Sequence, residues 1–208
     1  MHAHLKCWSL VNLWLMKYLL KIDFSMENQH NYSSSKNNIY AIKHQSALET
    51  ITIFAFFDQP VIILKQEIRK IPLFGMFGEN IGMIYVDRAG STKTLKILLK
   101  KVKDAIDSGK QVIIFPEGTR TKIGQIVDYQ VGIKAIYNDK NIDADIVPVA
   151  LNSGQCWPKS SFVKYPGKFK LSFLEPIKKS SIDRKEFLPY LQKTIEDETN
   201  LLLEKTSE

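Results

Sequence analysis

From residue 39 onward, short apolar runs alternate with longer stretches of helical periodicity. The short runs are rich in Val and Ile and are bounded by turn-forming residues, which favours strands. The predicted strands are residues 39–42, 61–64, 82–86, 112–115, 146–151 and 169–173. The predicted helices are residues 46–57, 92–108 and 183–203, with Gly109 ending the second and Asp183 capping the third. This alternation predicts a single α/β domain over residues 39–208, with a mixed, largely parallel central sheet flanked by helices.

Residues 5–22 form the most apolar stretch, but Lys6, Asn12 and Lys17 interrupt it. Its longest uncharged run is too short to cross about 30 Å of hydrocarbon. On a helix, one broad face carries tryptophans, a tyrosine and aliphatic residues, while lysines gather on another face. That pattern predicts an amphipathic, membrane-associated helix over residues 1–24. A helix packed on the domain in the ordinary way is the alternative.

Between this helix and the domain, residues 25–38 are polar, rich in Ser and Asn, and without periodicity. The composition predicts a linker.

The charge of the chain is the informative part of its composition. Its 208 residues carry 29 Lys and Arg against 22 Asp and Glu, a net charge of +7, which favours polyanionic partners such as anionic lipid or a phosphorylated substrate. Basic residues are not interleaved with aromatic ones, which argues against nucleic acid. The two cysteines and four histidines lack metal-site spacing, so we expect no metal and a reduced, cytosol-facing compartment.

A histidine and a carboxylate flank a predicted strand-to-helix turn. His44 lies just before the helix and Glu49 in its first turn, where a carboxylate is favoured and can orient the imidazole. The pair therefore predicts a general base, although this spacing alone is equally typical of a loop histidine near a helix start. Ser46 is a candidate N-cap or, less economically, a nucleophile activated by His44.

The second candidate segment is Phe-Pro-Glu-Gly-Thr-Arg at residues 115–120, directly after a predicted strand. Gly118 permits an unusual backbone angle, and the guanidinium of Arg120 suits a phosphate. Glu117 would orient that arginine or accept a hydrogen bond from a substrate hydroxyl. An exposed turn without function is the plainer interpretation.

Two more predicted strands end on basic residues, Lys65 and Arg88, which would add positive charge around a phosphate or serve only solubility. The run Val147-Pro148-Val149 is apolar and contains a proline, which predicts an edge or interrupted strand. It would line an acyl-chain groove or pack in the core.

Together, in this order, these segments resemble the signature blocks of the glycerolipid acyltransferase superfamily, above all the bacterial 1-acyl-glycerol-3-phosphate acyltransferases. The blocks are His-x4-acid at residues 44–49, a glycine-bearing stretch from Pro72 towards Arg88, the full Phe-Pro-Glu-Gly-Thr-Arg at residues 115–120, and Val-Pro-Val at residues 147–149. The resemblance covers residues 39–176. Glu49 departs from the aspartate of most members and matches a bacterial subgroup with glutamate there.

The resemblance implies an enzyme of phospholipid biosynthesis that needs no cofactor. In it, His44, oriented by Glu49, activates the acceptor hydroxyl, which takes an acyl group from acyl-CoA or acyl-carrier protein. The acceptor phosphate is held by Glu117, Gly118, Thr119 and Arg120, with Arg88 and Lys65. The substrates place the enzyme at the cytoplasmic face of the bacterial inner membrane, peripheral or monotopic. Other acceptors (glycerol 3-phosphate or a lyso-aminolipid) and a non-catalytic basic lipid-binding domain are the alternatives.

Overall fold

The computed structural model describes residues 2–33, 37–72, 74–87 and 92–204. In chain order its helices are α1 (His2–Leu20), α2 (Leu48–Phe56), α3 (Phe74–Asn80), α4 (Thr92–Asp107), α5 (Val131–Asn138), α6 (Ser153–Cys156) and α7 (Phe187–Glu204). Its strands are β1 (Ile22–Glu27), β2 (Asn38–Ile42), β3 (Val61–Lys65), β4 (Ile84–Val86), β5 (Val112–Ile114), β6 (Asp145–Leu151) and β7 (Gly167–Phe173).

Within the described residues, the strands form one sheet in the order β1-β7-β6-β2-β5-β3-β4. The strands from β6 to β4 are mutually parallel, β7 is antiparallel to β6, and β1 is parallel to β7. The predicted α/β architecture with a mixed, largely parallel sheet is confirmed. Because β2, β5 and β6 run in register, the residues that follow them meet at one edge of the sheet, called here the carboxyl edge.

Both faces of the sheet are covered, which explains why its central strands are continuously apolar. On one face, α4, α5 and α7 pack against the side chains of Ile39, Ala41 and Ile146. On the other face, α1 and α2 pack against those of Tyr40, Ile42 and Val147. Every residue of β2 is buried as a result.

The segment predicted as a linker contributes a strand, so that prediction is partly wrong. β1 occupies residues 22–27 and pairs with β7 from Ile22↔Gly167 to Glu27↔Ser172. Its side chains alternate, with Phe24 and Met26 packed on the core and Asp23 exposed. A short edge strand with one polar face has a composition close to that of a loop. Residues 34–36 of the predicted linker lie outside the described part of the chain.

α1 packs on α2 with the face opposite to the apolar one noted in the sequence. Ser9 and Met16 are buried beneath it, and Leu5 and Leu13 are half-buried. The apolar face looks outward, with Trp8 53%, Trp14 58% and Leu19 72% exposed. The helix packed on the domain, the alternative that the sequence left open, is therefore found, although these apolar side chains stay exposed. Among the helices described, none is long and apolar enough to cross a bilayer.

Pro148 lies in an interior strand, so the predicted edge position is wrong and the interrupted strand, the other prediction from this proline, is found. β6 is flanked by β2 on one side and β7 on the other. The β7 ladder covers only Val149–Leu151, and beyond it the contact continues as a single bridge from Ile146 to Ile177. The missing N–H of Pro148 therefore falls where the ladder is interrupted, and its carbonyl accepts from the N–H of Leu174 at 2.9 Å.

Candidate active site

The histidine and the Phe-Pro-Glu-Gly-Thr-Arg segment meet at the carboxyl edge because they follow the adjacent parallel strands β2 and β5. Two hydrogen bonds tie the segments together. The backbone N–H of His44 donates to Glu117 Oε2 at 2.6 Å, and that of Thr121 donates to the carbonyl of His44 at 2.8 Å. Residues more than 70 positions apart in sequence thus form one rigid unit.

The imidazole of His44 faces the carboxylate of Glu49. Nδ1 of His44 lies 3.7 Å from Glu49 Oε2, longer than a hydrogen bond and within ion-pair range. Nδ1 is buried and has no hydrogen-bond partner among the described residues. Catalytic pairs of this kind often tighten only when substrate binds. The arrangement leaves Nε2, on the far side of the ring, as the nitrogen available to a substrate.

Phe115 covers one face of the His44 ring. The ring centroids are 3.9 Å apart and the planes differ by 17°. The histidine side chain is 18% exposed, whereas that of Glu49 is fully buried. The stacking restricts rotation of the imidazole, so holding the ring in this orientation costs little further side-chain entropy.

Three donors fix the buried carboxylate of Glu49 through four hydrogen bonds. Its Oε1 accepts from the N–H groups of Gln45 at 2.9 Å and Ser46 at 2.8 Å, and Oε2 accepts from Ser46 at 3.0 Å. The hydroxyl of Ser153, at the start of α6, also donates to Oε1. Nearby, the N–H of Gly154 donates to Oε1 of Gln45 at 3.0 Å. The corner between β6 and α6 therefore holds the turn on which the carboxylate sits.

Ser46 is not the N-cap predicted from the sequence, because Ala47 occupies that position before α2. The hydroxyl of Ser46 nevertheless accepts from the N–H of Leu48 at 3.2 Å, which satisfies a free donor at the start of the helix. The helix begins at Leu48, two residues later than predicted, because the N–H groups of Gln45 and Ser46 are directed at Glu49.

Glu117 is placed differently from the prediction that it binds a substrate phosphate. Its side chain is fully buried, and its carboxylate accepts from Lys43 Nζ at 2.7 Å and Thr121 Oγ1 at 2.7 Å as well as from the N–H of His44. Burial raises the pKa of Glu117 above its ordinary value, against the opposing effect of Lys43. A carboxylate enclosed by protein donors cannot reach a ligand, so Glu117 positions the histidine loop.

Lys43 extends this network to the last helix, a role that the sequence did not reveal. The side chain is 2% exposed, and its ammonium also contacts Glu196 of α7 at 2.6 Å. A buried lysine with two carboxylate partners is stable only where both are held in place. The loop that carries His44 is therefore joined to both β5 and α7.

The remaining residues predicted to bind phosphate differ in their accessibility. Gly118 is buried with φ +70°, a left-handed backbone that favours glycine, while Thr119 and Arg120 beyond it are exposed. Lys65 is half-buried at the end of β3, two strands from β2 and thus about 10 Å along the carboxyl edge. Arg88 lies outside the described residues.

The acyl-groove role predicted for Val147, Pro148 and Val149 does not fit their position. Val147 and Val149 have 0% exposure and Pro148 is buried, because β6 lies inside a sheet covered on both faces. These residues pack in the core, the alternative that the sequence left open.

The chain is similar to known acyltransferases. The profile of the family described as Acyltransferase matches residues 23–152. A 1-acyl-sn-glycerol-3-phosphate acyltransferase of Pseudomonas aeruginosa is 32% identical over 164 residues, which cover 79% of this chain and 63% of the relative. One from Helicobacter pylori is 31% identical over 140 residues, which cover 66% of this chain and 58% of the relative. The chain thus spans less than two thirds of the length of these relatives.

A solved structure has the same fold. The crystal structure of the 1-acyl-sn-glycerophosphate (LPA) acyltransferase from Thermotoga maritima matches with a TM-score of 0.78 at 22% identity, covering 97% of this chain and 79% of that one. The likeness extends over nearly all of the chain, α1 and β1 included.

Proposed function

The chain belongs to the acyltransferase family, and we propose that it transfers a fatty acyl group from acyl-CoA or acyl-carrier protein to the free hydroxyl of 1-acyl-glycerol-3-phosphate, forming phosphatidic acid. The observation that carries this proposal is the arrangement of side chains at the carboxyl edge. A histidine backed by a buried carboxylate lies beside a loop that presents an exposed arginine. Relatives with this activity by name support the choice of acceptor.

In the proposed reaction, Nε2 of His44 takes the proton of the acceptor hydroxyl as its oxygen attacks the thioester carbonyl. The C–O bond forms, the C–S bond breaks, and the proton passes from His44 to the departing thiolate. The negative charge of Glu49 stabilises the imidazolium in between. Such proton transfer contributes about 10²–10⁴-fold, so positioning of both substrates supplies much of the remaining acceleration.

The acceptor phosphate is assigned to Arg120 and Thr119, with Lys65 and Arg88 as further sources of positive charge. Arg120 is exposed and its loop is anchored by the buried Glu117, which favours a preformed anion site. Gly118 shapes the backbone of this loop and does not bind the phosphate through its N–H, because that N–H donates to the carbonyl of Phe115 at 2.9 Å.

We assign the outward face of α1 to the membrane interface, with the enzyme peripheral or monotopic on the cytoplasmic side. Trp8, Trp14 and Tyr18 are more than half exposed, and Lys17 and Lys21 flank them. Amphipathic aromatic rings and lysines are typical of helices at the headgroup boundary.

A thiol-release assay tests the proposal. Purified protein is offered acyl-CoA and acyl-carrier protein in parallel, each with 1-acyl-glycerol-3-phosphate, glycerol 3-phosphate or a lyso-aminolipid. We expect thiol release that depends on 1-acyl-glycerol-3-phosphate and yields phosphatidic acid. Thiol release with only one of the other acceptors would show that this acceptor, and not 1-acyl-glycerol-3-phosphate, is the substrate. If no acceptor gave release, the proposal that the chain is an acyltransferase would be contradicted.

A further inference from the structure

A second exposed apolar surface lies at the carboxyl edge, apart from α1. In the loop between α6 and β7, Phe162 is 95%, Val163 56% and Tyr165 51% exposed. In the loop after Arg120, Ile123 is 46% and Ile126 64% exposed. Single exposed apolar residues are ordinary, but several on neighbouring loops indicate a contact surface. We call residues 157–166 together with Ile123 and Ile126 the rim.

The rim adjoins the candidate active site. Both loops lie next to α6, whose Ser153 donates to Glu49. A Cβ on Gly154 would lie 3.1 Å from Cγ1 of Ile123, so that side chain lies directly on α6. The N–H of Tyr165 donates to the carbonyl of Cys156 at 2.8 Å and closes the other loop onto the same helix. Whatever covers the rim therefore lies beside His44.

The rim also continues the outward face of α1. The N–H of Gly167, just after the rim loop, donates to the carbonyl of Lys21 at 3.0 Å. The last turn of α1, with Tyr18 62% and Leu19 72% exposed, ends at this point. The end of α1 and the rim loop thus meet at one corner of the molecule, so a partner that covers the rim lies next to the exposed end of α1.

The charged residues of the rim loop, residues 157–166, are Lys159 and Lys164. Beyond the loop, Lys168 of β7 lies opposite Asp23 of β1, and Lys170 is paired to Glu27 at 2.9 Å. Lys164 Nζ lies 4.2 Å from the centre of the Trp157 ring, which holds its charge at the base of the loop. An exposed phenylalanine between two lysines suits a bilayer, where the ring enters the acyl region and the ammonium groups meet anionic headgroups.

We propose that the rim inserts into the surface of an anionic bilayer and, with α1, places the mouth of the active site at the lipid–water boundary. This inference rests on the proposed function, because a lipid acceptor residing in the bilayer would then reach His44 without crossing water. It assigns membrane contact to a loop and thereby fixes which edge of the domain faces the lipid.

The test is vesicle partitioning of the full chain without substrate. The variant is Phe162→Ser/Val163→Ser, and the matched control is Tyr190→Ser, whose side chain is 50% exposed on α7. On vesicles of phosphatidylcholine with phosphatidylglycerol, we expect the double variant to bind at least about tenfold more weakly and the control to bind as the unaltered chain does. Unchanged thermal midpoints establish that the variants fold.

Equal partitioning of the double variant and the unaltered chain would overturn the inference. The inference would also be overturned if the unaltered chain were a dimer in vesicle-free buffer and the double variant were a monomer. The rim would then contact a second copy of the chain. Partitioning requires no turnover, so a chain that binds vesicles through the rim but transfers no acyl group would contradict the proposed function alone.

Discussion

Ser153 donates a hydrogen bond to Oε1 of Glu49, joining the end of β6 to the first turn of α2 across 104 residues of sequence. The same oxygen accepts from two backbone N–H groups, while Oε2 is directed towards His44. The glutamate is long enough to contact the β6–α6 corner and the imidazole together. A glutamate side chain is one methylene longer than the aspartate of most family members, and in this structure the added length reaches Ser153.

Replacing Ser153 with alanine should impair orientation of the base without disturbing substrate binding. Because a hydrogen bond to a charged group contributes more free energy than a neutral one, we expect its loss to lower kcat about tenfold. We expect KM for both substrates to change little. Ser153→Thr keeps the hydroxyl and should restore most of kcat. Steady-state kinetics at saturating donor checks both, and an unaltered kcat in Ser153→Ala would show that the contact is dispensable.

Two substitutions of Glu49 distinguish the effect of its negative charge from the effect of its side-chain length. Glu49→Asp keeps the charge but withdraws it from Ser153, so we expect measurable transfer, reduced about tenfold. Glu49→Gln keeps the length and removes the charge that stabilises the imidazolium, and we expect a fall of about 10²-fold. The comparison is made in kcat, and a Gln variant as active as the Asp variant would argue against electrostatic stabilisation.

Because the pKa of Glu117 is raised in the folded state, the free energy of unfolding should depend on pH. Burial raises this pKa above the ordinary value of 4.5, so the folded chain binds this proton more tightly than the unfolded chain. The stability that this proton contributes is present below about pH 4.5 and is lost as pH rises through the folded pKa. The free energy of unfolding, measured in urea, should therefore decline relative to that of Glu117→Gln over this range.

The control for that experiment is Glu204→Gln, which alters an exposed carboxylate at the end of α7. Its stability should follow that of the unaltered chain at each pH. Parallel curves for the unaltered chain and Glu117→Gln would show that Glu117 titrates alike in both states.

Arg120 should act on the acceptor and not on the chemical step. Removing an exposed guanidinium from a phosphate site costs charge-assisted hydrogen bonds, so we expect Arg120→Ala to raise KM for 1-acyl-glycerol-3-phosphate at least about tenfold. We expect kcat to change less than about threefold, and Arg120→Lys to recover part of the affinity. Acceptor titrations at saturating donor measure both constants. A decrease in kcat alone would show that Arg120 does not bind the acceptor phosphate.

The sequence was sufficient for the parts of the fold that local pattern encodes. Val112-Ile113-Ile114 is recognisable as a strand because an interior parallel strand is apolar throughout, and Gly109 ends α4 in a left-handed conformation, with φ +71°. β1 was missed because an edge strand shows only one apolar face. α5 is short and α3 is glycine-rich, so neither produced a helical pattern strong enough to identify.

In the candidate site, the sequence predicts His44, Glu49 and Arg120 because they belong to contiguous segments. It does not predict Lys43 and Ser153, since their partners lie 74 and 104 residues away and no local spacing records such contacts. The position of Ser153 directly after β6 at the carboxyl edge was the available signal. The sequence favours a substrate role for Glu117 because it does not show that Lys43 and Thr121 enclose the carboxylate.

The central claim, that His44 is the base of an acyl transfer, is tested most directly by phosphatidic acid formation from labelled acyl donor and 1-acyl-glycerol-3-phosphate. The comparison is His44→Ala against His30→Ala, which alters an exposed histidine away from the carboxyl edge. We expect His44→Ala to lose at least about 10²-fold of the transfer rate while retaining its thermal midpoint, and His30→Ala to match the unaltered chain. Full activity in His44→Ala would contradict the account.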